Sequence, residues 1–250
     1  MKSFFCSLGL FFLFSREVLR KIFTRRYSWA DCMRQMYRVG VESLTVVNLC
    51  AFFIGLVLVV QTASMLARFG AKAQVSMIVS ASFVREIGPV FAAIMFAGRI
   101  GTGIAAEIGS MVVTEQIDAY RTFGADPVAK LAVPRVLATT IMLPALTAIS
   151  VIVGIFSGFL LAITSLGVSG NYYLNNALWI LTTTDVVACL VKGTVFGLLV
   201  GLIATNMGFS TARATEAVGV STTKSMVQAV MSILVVDLLI TKSFLVLAGD

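Results

Sequence analysis

The 250-residue sequence has no histidine, and its 12 acidic residues are outnumbered by 19 lysines and arginines. Without histidine, imidazole cannot serve as a catalytic base or a metal ligand. The cysteines Cys6, Cys32, Cys50 and Cys189 show neither CxxC nor metal-ligand spacing, which favours reduced, buried thiols and predicts no metal site. The ATP-binding motif GxxxxGK[ST] is also missing. Histidine-based catalysis and P-loop ATP hydrolysis by this chain are therefore excluded.

Apolar residues are abundant. Hydrophobic residues make up 58% of the chain and charged residues 12%, with a mean hydropathy of +0.97. Soluble domains contain about 45–50% apolar and about 25% charged residues. This composition predicts an integral membrane protein. The basic residues cluster at the ends of apolar runs, so anionic lipid head groups, and not nucleic acid, are the expected counter-charge.

The first 40 residues combine an apolar patch, Phe4 to Phe14, with a basic run. A signal peptide would need a small-residue cleavage site, whereas SREVLRK follows the patch. A first spanning helix would need roughly 20 apolar residues, and the patch has about eleven. We therefore predict an interfacial amphipathic segment over residues 1–40, followed by a five-helix domain over residues 41–250.

Five longer apolar segments follow, and each can cross a hydrocarbon core about 30 Å thick as a helix. Lipid offers no hydrogen bonds to the backbone, so the segments are expected to be helical. The predicted fold class is an all-α integral membrane protein. The predicted spans are Leu44 to Leu66, Val75 to Ile108, Leu131 to Leu166, Val186 to Met207 and Met226 to Leu247.

Basic residues concentrate before the first span and in the second-to-third and fourth-to-fifth connections. The positive-inside rule therefore predicts a cytosolic N-terminus, and five spans put the C-terminus on the other side. Gly167 to Asp185, with Tyr172, Tyr173 and Trp179, is predicted to be an extracytoplasmic loop whose aromatic side chains lie at the interface.

Four charged residues fall inside apolar segments: Arg85, Glu86, Lys192 and Asp237. An isolated charge at mid-bilayer costs about 2.5–3.5 kcal/mol, so these residues are expected to pair or to face water. Helical rise places all four at similar depths. One interpretation is a polar network on a translocation path. The other is two ion pairs that clamp helices together.

Arg99 and Glu107 lie farther along the second span, in GRIGTGIAAEIG. Their separation leaves them about 80° apart around a helix, so they can share one broad face as a structural polar pair. The small residues between them favour close helix packing, as do Gly154-xxx-Gly158 and Gly193-xxx-Gly197-xxx-Gly201.

A short polar helix is predicted between the second and third spans. Thr114 is expected to cap its N-terminus, and Gly124 with Asp126-Pro127 to end it. An apolar ridge at every third position predicts docking into a groove on a soluble partner, while the alternative is a helix resting on head groups. The predicted docking residues are Thr114, Glu115, Gln116, Ile117, Asp118, Tyr120, Phe123, Gly124, Asp126 and Pro127.

The stretch from Arg85 to Pro134 resembles the signature region of the MlaE (YrbE) permease family, the membrane subunits of bacterial Mla/Mce-type ABC lipid transporters. The similar elements are REIGPV, AGRIG, AAEIG, TEQIDA, GADP and VPR, in that order. RQMYRVG, FFIGLVLVVQ, LVKGTVFG and VVDLLIT extend the resemblance over most of the chain. One departure is AVGVSTT at Ala217 to Thr223, where many relatives have a Gly-rich run ending in ATT.

This resemblance implies a homodimer in the bacterial inner membrane, with the polar helix as a cytosolic coupling helix received by a separate ATPase subunit. ATP and Mg would lie on that ATPase, and this chain would carry no cofactor. Further implied partners are a periplasmic MCE-domain protein and, in some systems, a STAS-domain protein. The implied cargo is a phospholipid or similar amphiphile, moved in support of outer-membrane lipid homeostasis, with sterol or fatty acid as the alternative.

The resemblance also implies a lipid pocket, and by position its lining would be Leu58, Gln61, Met65, Leu66, Phe69 and Ile87. The intramembrane charges of the family correspond to Arg85, Glu86, Lys192 and Asp237. Other classes remain open: an ABC permease for a small solute, an intramembrane enzyme using Glu86 or Asp237, and a channel or structural membrane protein.

Overall fold

The computed structural model describes residues 2–24 and 27–248, which form helices and no strand. The five helices α2, α3, α5, α7 and α8, as numbered below, are long and apolar enough to cross a membrane. The predicted all-α integral membrane fold is therefore confirmed. In chain order the helices are α1 (Lys2–Phe23), α2 (Trp29–Ala67), α3 (Lys72–Val113), α4 (Gln116–Thr122), α5 (Val128–Leu166), α6 (Gly170–Trp179), α7 (Thr183–Phe209) and α8 (Thr215–Ala248).

The N-terminal helix α1 is amphipathic and packs against the bundle through Val18, which is buried beside Val133 and Leu202. Its other face exposes Leu10 and Phe12. This two-sided character suits the predicted interfacial segment. The side chains of residues 2–8, including Cys6 and the start of the predicted apolar patch, lie outside the described residues, as do residues 25 and 26.

The boundary predicted at residue 40 falls inside α2, which is continuous from its cap at Ser28 to Ala67. At 1.5 Å per residue a helix of this size is about 58 Å long, more than the about 40–45 Å of a whole bilayer. The first span thus starts earlier than predicted because its basic first turns extend beyond the apolar stretch. The fifth span likewise begins earlier than predicted, at Thr215, and includes the AVGVSTT segment.

Helix α3 contains two wide π-turns, Phe83–Ile87 and Ala97–Gly101. Turns of this kind occur frequently at functional sites. The first turn carries Arg85 and Glu86 and ends just before Pro89, whereas the second carries Arg99. Both interruptions of α3 therefore coincide with charged residues of the span.

Helices α5 and α7 meet backbone to backbone. A Cβ atom at Gly197 would lie 2.4 Å from the carbonyl oxygen of Thr139, and one at Gly201 would lie 2.3 Å from Thr139 Oγ1. Only glycine permits this approach, so the close packing predicted for the Gly193-xxx-Gly197-xxx-Gly201 repeat is confirmed. The most apolar stretch of α7 is 50% buried, whereas that of α8 is 11% buried.

The stretch predicted as an extracytoplasmic loop contains a helix, α6, which Ser169 caps by accepting a hydrogen bond from the Tyr172 backbone N–H. Tyr173 is 1% exposed, and its ring packs against Phe159 with centroids 5.8 Å apart. The prediction of an interfacial aromatic is therefore wrong for Tyr173, whereas Trp179 is 76% exposed.

Candidate functional site

Lys192 of α7 joins three spanning helices, and its side chain is only 3% exposed. Its Nζ lies 2.7 Å from Glu86 Oε2 of α3 and 2.8 Å from Asp237 Oδ1 of α8. It also donates hydrogen bonds to the Arg85 carbonyl at 2.9 Å and to Thr241 Oγ1 at 2.8 Å, while Thr241 donates to Glu86 Oε1 at 2.9 Å. We call Glu86, Lys192, Asp237 and Thr241 the lysine cluster.

Pro89 explains why the backbone carbonyl of Arg85 accepts a hydrogen bond from Lys192. In a regular helix the N–H of residue 89 would bond to the carbonyl of Arg85, but proline has no N–H. The freed Arg85 carbonyl accepts from Lys192 instead. The wide turn over Phe83–Ile87 and the buried ammonium group thus stabilise each other.

The lysine cluster contains two carboxylates and one ammonium. It therefore holds one carboxylate more than a single ion pair requires. Glu86 is 40% exposed, compared with 17% for Asp237. The additional carboxylate, Glu86, can therefore reach solvent or a ligand.

The side chain of Arg85 lies outside the lysine cluster, although the sequence predicts similar depths for Arg85, Glu86, Lys192 and Asp237. Its Nε donates to Asp185 Oδ1 at 2.7 Å and its Nη2 to Oδ2 at 3.2 Å. Asp185 also accepts from the backbone N–H of Thr182, which closes a capping box at the start of α7. Sequence reasoning missed Asp185 and Thr241; the Thr-x-x-Asp signature of a capping box was the available signal for Asp185.

A second charged cluster lies toward the end of the bundle that carries α4. Glu107 of α3 lies between two arginines, with Arg38 Nη1 of α2 at 2.6 Å and Arg135 Nη2 of α5 at 2.8 Å. Arg135 also donates to the Leu131 carbonyl at 2.8 Å, and its side chain is 5% exposed. We call Arg38, Glu107 and Arg135 the glutamate cluster.

Arg99 and Glu107 do share a face of α3, as predicted, because both line one cavity between α2 and α3. The ion partners of Glu107 are nevertheless Arg38 and Arg135. Both arginines come from other helices, and sequence reasoning missed them. Their pairing depends on the packing of three helices, which spacing along one helix does not show.

The polar helix predicted between the second and third spans is present as α4, but its N-terminus differs from the prediction. Thr114 ends α3 and its hydroxyl donates to the Ser110 carbonyl at 2.9 Å. Glu115, at a φ of 57°, occupies the N-cap position without a capping side-chain bond. The predicted Thr114 cap is wrong because the left-handed Glu115 reverses the chain one residue later.

The predicted end of α4 is confirmed. Gly124 has a φ of +72°, and the Ala125 N–H donates to the Tyr120 carbonyl at 2.9 Å, as in a Schellman motif. Asp126 then accepts from the Val128 N–H at 3.0 Å and pairs with Lys21 of α1 at 2.6 Å. Burial raises the pKa of Asp126, but the hydrogen bonds from Lys21 and the backbone lower it more, so it lies below its usual value.

The apolar ridge of α4 is divided between the interior and the surface. Ile117 is buried in the main core, Tyr120 is half-buried against that core, and Phe123 is 86% exposed. Arg213, from the connection between α7 and α8, lies 2.6 Å from Asp118 Oδ2. The helix is thus anchored to two parts of the bundle and presents Phe123 outward.

The residues predicted to line a lipid pocket lie on an open face of α2, in the turn that follows α2, and on α3. Gln61, Met65 and Phe69 are exposed, whereas Leu58, Leu66 and Ile87 are half-buried against the neighbouring helices. The pocket stays a prediction, since a single chain presents these residues as a surface.

The family model described as "Permease MlaE" matches residues 32–243. This chain belongs to the MlaE permease family. A probable ABC transporter permease protein of Rickettsia typhi is 38% identical to this MlaE permease, over 94% of this chain and 91% of that protein. A probable ABC transporter permease protein of Synechocystis sp. is 35% identical over 90% of this chain and 85% of that protein.

A plant protein is also similar to this MlaE permease. The chloroplastic protein TRIGALACTOSYLDIACYLGLYCEROL 1 of Arabidopsis thaliana is 34% identical over 94% of this chain and 67% of that protein. The family and the five spans together identify a multi-pass membrane subunit of ABC transporter type. The family resemblance seen in the sequence is thereby confirmed.

Proposed function

We propose that this MlaE permease, as a homodimer in the bacterial inner membrane, moves phospholipids or similar amphiphiles between that membrane and a periplasmic MCE-domain carrier. This transport would support outer-membrane lipid homeostasis. The lysine cluster carries the proposal, because it places a partly exposed carboxylate, Glu86, between apolar spans. An amphiphile has a polar head for such a group and acyl chains for the apolar faces beside it. The name of the Arabidopsis relative contains that of a glycolipid, which supports a lipid cargo.

A cytosolic ATPase subunit holding ATP and Mg would receive α4. Phe123, which follows the last residue of α4, offers a large exposed apolar side chain to such a partner. Ile117 inside the core and the Arg213–Asp118 contact would pass a displacement of α4 to α3 and to the start of α8. This orientation puts the N-terminus in the cytosol and the C-terminus in the periplasm. A STAS-domain protein would bind beside the ATPase.

The surface of α8 supports the homodimer. Its most apolar stretch is 11% buried, and a row of aliphatic side chains is exposed along it. This row consists of Val227, Met231, Leu234, Val235 and Leu238. A second copy packed on α8 would bring two lysine clusters toward one shared path, since Asp237 belongs to the same helix.

Transfer of a fluorescent phospholipid out of proteoliposomes that contain the full ATPase complex tests the function. Glu86→Gln removes the exposed carboxylate of the lysine cluster and should abolish ATP-dependent transfer while the protein still folds. Glu216→Gln, an exposed residue at the start of α8, is the matched control. Equal transfer by both variants would leave the cluster as a clamp and contradict the proposed path. If a sterol or fatty acid competes for this transfer and unlabelled phospholipid does not, the cargo is a sterol or fatty acid and not a phospholipid.

Capture of the ATPase by the purified permease tests the docking role of α4. Phe123→Ser should reduce this capture strongly, because it removes the exposed apolar side chain. Phe23→Ser is the control, since Phe23 is 85% exposed at the end of α1, close to the 86% of Phe123. Undiminished capture by Phe123→Ser would place the contact elsewhere.

A further inference from the structure

A cavity of about 150 Å³ lies between α2 and α3, apart from the lysine cluster. Its lining includes Gln35, Arg38, Glu42, Arg99, Gly103 and Glu107. The cavity combines guanidinium groups, an amide and two carboxylates. It is therefore suited to a charged group and not to an acyl chain alone.

The ionic contacts around this cavity leave one arginine without a partner. Glu107 is shared by Arg38 and Arg135, and Glu42 is only 3.6 Å from Arg38. Arg99 is exposed and has no ion pair within the part of the chain that the structure describes. The lining has two guanidinium groups, Arg38 and Arg99, and two carboxylates, Glu42 and Glu107. Because Arg135 also pairs with Glu107 from outside the lining, Arg99 is the guanidinium group left without an ion pair.

The depth of Arg99 indicates which anion is available. Lys192 follows the first residue of α7 by nine residues, about 14 Å of helix and close to half of an about 30 Å core. Glu86 is bonded to Lys192 and so lies at the same level. Arg99 follows Glu86 by 13 residues, which is about 20 Å toward α4. It therefore reaches the head-group layer, which begins about 15 Å from the midplane.

We propose that this cavity binds the phosphate of one phospholipid from the leaflet on the α4 side, which is the cytosolic leaflet in the proposed orientation. Arg99 and Arg38 contact the phosphate oxygens, for which guanidinium groups have a matching fork geometry. The acyl chains follow Leu49 and Phe53, which are both 56% exposed and continue the helix face of Glu42 toward the midplane. The proposal rests on the proposed lipid transport and deepens it by assigning a binding site to the phosphate of the cargo.

Gly103 allows the cavity to be filled without removing a charge. A Cβ at Gly103 meets nothing within 4 Å, so Gly103→Leu should be accommodated in the fold while it occupies the space. Arg99→Gln and Arg38→Gln remove the proposed contacts instead. Arg34→Gln is the matched control, because Arg34 is exposed one turn before Arg38 on the same helix and does not line the cavity.

The experiment counts bound phospholipids per chain by native mass spectrometry, after release from nanodiscs of phosphatidylglycerol and phosphatidylethanolamine. The wild type and Arg34→Gln should each retain one phospholipid more than Arg99→Gln, Arg38→Gln and Gly103→Leu. The affinity lost with either arginine should be about tenfold to a hundredfold, as for a hydrogen bond to a charged group. Equal counts in all five proteins would overturn the proposal.

Two further arms distinguish the source of the anion and the dependence on transport. If millimolar inorganic phosphate displaces the phospholipid from the wild type, the cavity binds a free anion and the lipid assignment is overturned. If Arg99→Gln instead separates the dimer into single chains, Arg99 pairs with a carboxylate of the second copy, which also overturns it. Glu86→Gln should keep the counted lipid even if its transfer is lost, so failure of the transport proposal is recognised separately.

Discussion

The lysine cluster and the glutamate cluster are built with opposite signs. In the first, a cation lies between two carboxylates, and in the second a carboxylate lies between two guanidinium groups. Each cluster nevertheless contains one nearly inaccessible cation: Lys192 is 3% exposed and Arg135 is 5% exposed. The sequestered cations thus hold helices together, whereas the more exposed Glu86 and Arg38 remain available to other molecules.

The two clusters also differ in what surrounds the buried cation. Lys192 uses its three N–H groups on Glu86, Thr241 and a backbone carbonyl, and Asp237 is held beside it by charge. Arg135 contacts one carboxylate and one carbonyl. Removal of the central ion should therefore lower the free energy of unfolding more in the lysine cluster, where that ion is Lys192, than in the glutamate cluster, where it is Glu107.

The largest effect is expected for Lys192→Met. The substitution leaves Glu86 and Asp237 facing each other without their counter-charge, and breaking a buried pair in this way costs about 3–5 kcal/mol. Thermal unfolding of the purified protein in detergent measures the loss. Lys242→Met is the control, since Lys242 is an exposed lysine of the same helix as Asp237 and should leave the melting temperature unchanged. A loss of stability in Lys192→Met no larger than that in Lys242→Met would contradict the expected difference in stability between the two clusters.

Glu107→Gln should have the next largest effect. It leaves the buried guanidinium of Arg135 with only a carbonyl, and losing a hydrogen bond to a charged group costs about 1.5–3 kcal/mol. Glu42→Gln is the matched control, because its contact with Arg38 is long at 3.6 Å and exposed. The same melting measurement ranks Glu107→Gln against Lys192→Met. A loss for Glu107→Gln equal to that for Lys192→Met would mean that the number of contacts does not set the cost.

The exposed pair between Lys21 and Asp126 provides a smaller effect with a pH signature. Asp126 has a lowered pKa, so its contribution is present above the usual carboxyl pKa and is lost as pH falls through the lowered value. Burial lowers the pKa of Lys21, but hydrogen bonds to Asp126 and Glu17 raise it more, so the contribution is lost again in strongly alkaline solution.

Asp126→Asn keeps the helix cap and removes the charge, so it should cost about 0–1 kcal/mol at neutral pH, as for other surface pairs. The stability difference from wild type, measured by melting from neutral to acidic pH, should vanish in acid. A difference that persists in acid would mean that the cap, and not the charge, was disturbed.

Tyr173→Phe has the smallest expected effect on stability. It serves as an uncharged reference for the substitutions in the two clusters. Its hydroxyl is buried without a hydrogen-bond partner among the described residues, so Tyr173→Phe should change stability by less than about 1 kcal/mol or increase it. Burial raises the pKa of Tyr173 to about 12. The wild type should therefore lose stability relative to the variant between the usual tyrosine pKa and about 12. Absorbance of the phenolate during titration checks the value.

Hydropathy was sufficient to predict the five spans, and depth along them was sufficient to group Glu86 with Lys192 and Asp237. Helical rise could not show that Arg85 points to Asp185, since a wide turn changes side-chain directions. Pro89, four residues after Arg85, was a readable sign that a carbonyl there needs another donor.

Other features depended on tertiary structure. Arg38 and Arg135 reach Glu107 from helices that only packing brings together. Helix α6 was missed because its ten residues are too short and too polar for a hydropathy signal, although Tyr173 anchors it in the core. The reversal at Glu115 has no sequence signal, because a left-handed φ is uncommon for glutamate.

The central claim is that the permease moves phospholipid, using ATP hydrolysed by its partner. Its most direct test is the transfer of labelled phospholipid between proteoliposomes holding the complete complex and a soluble MCE-domain acceptor, with and without ATP and Mg. The account predicts transfer that requires ATP, continues in Glu216→Gln and stops in Glu86→Gln. Transfer that is indifferent to ATP, or is the same in both variants, would contradict it.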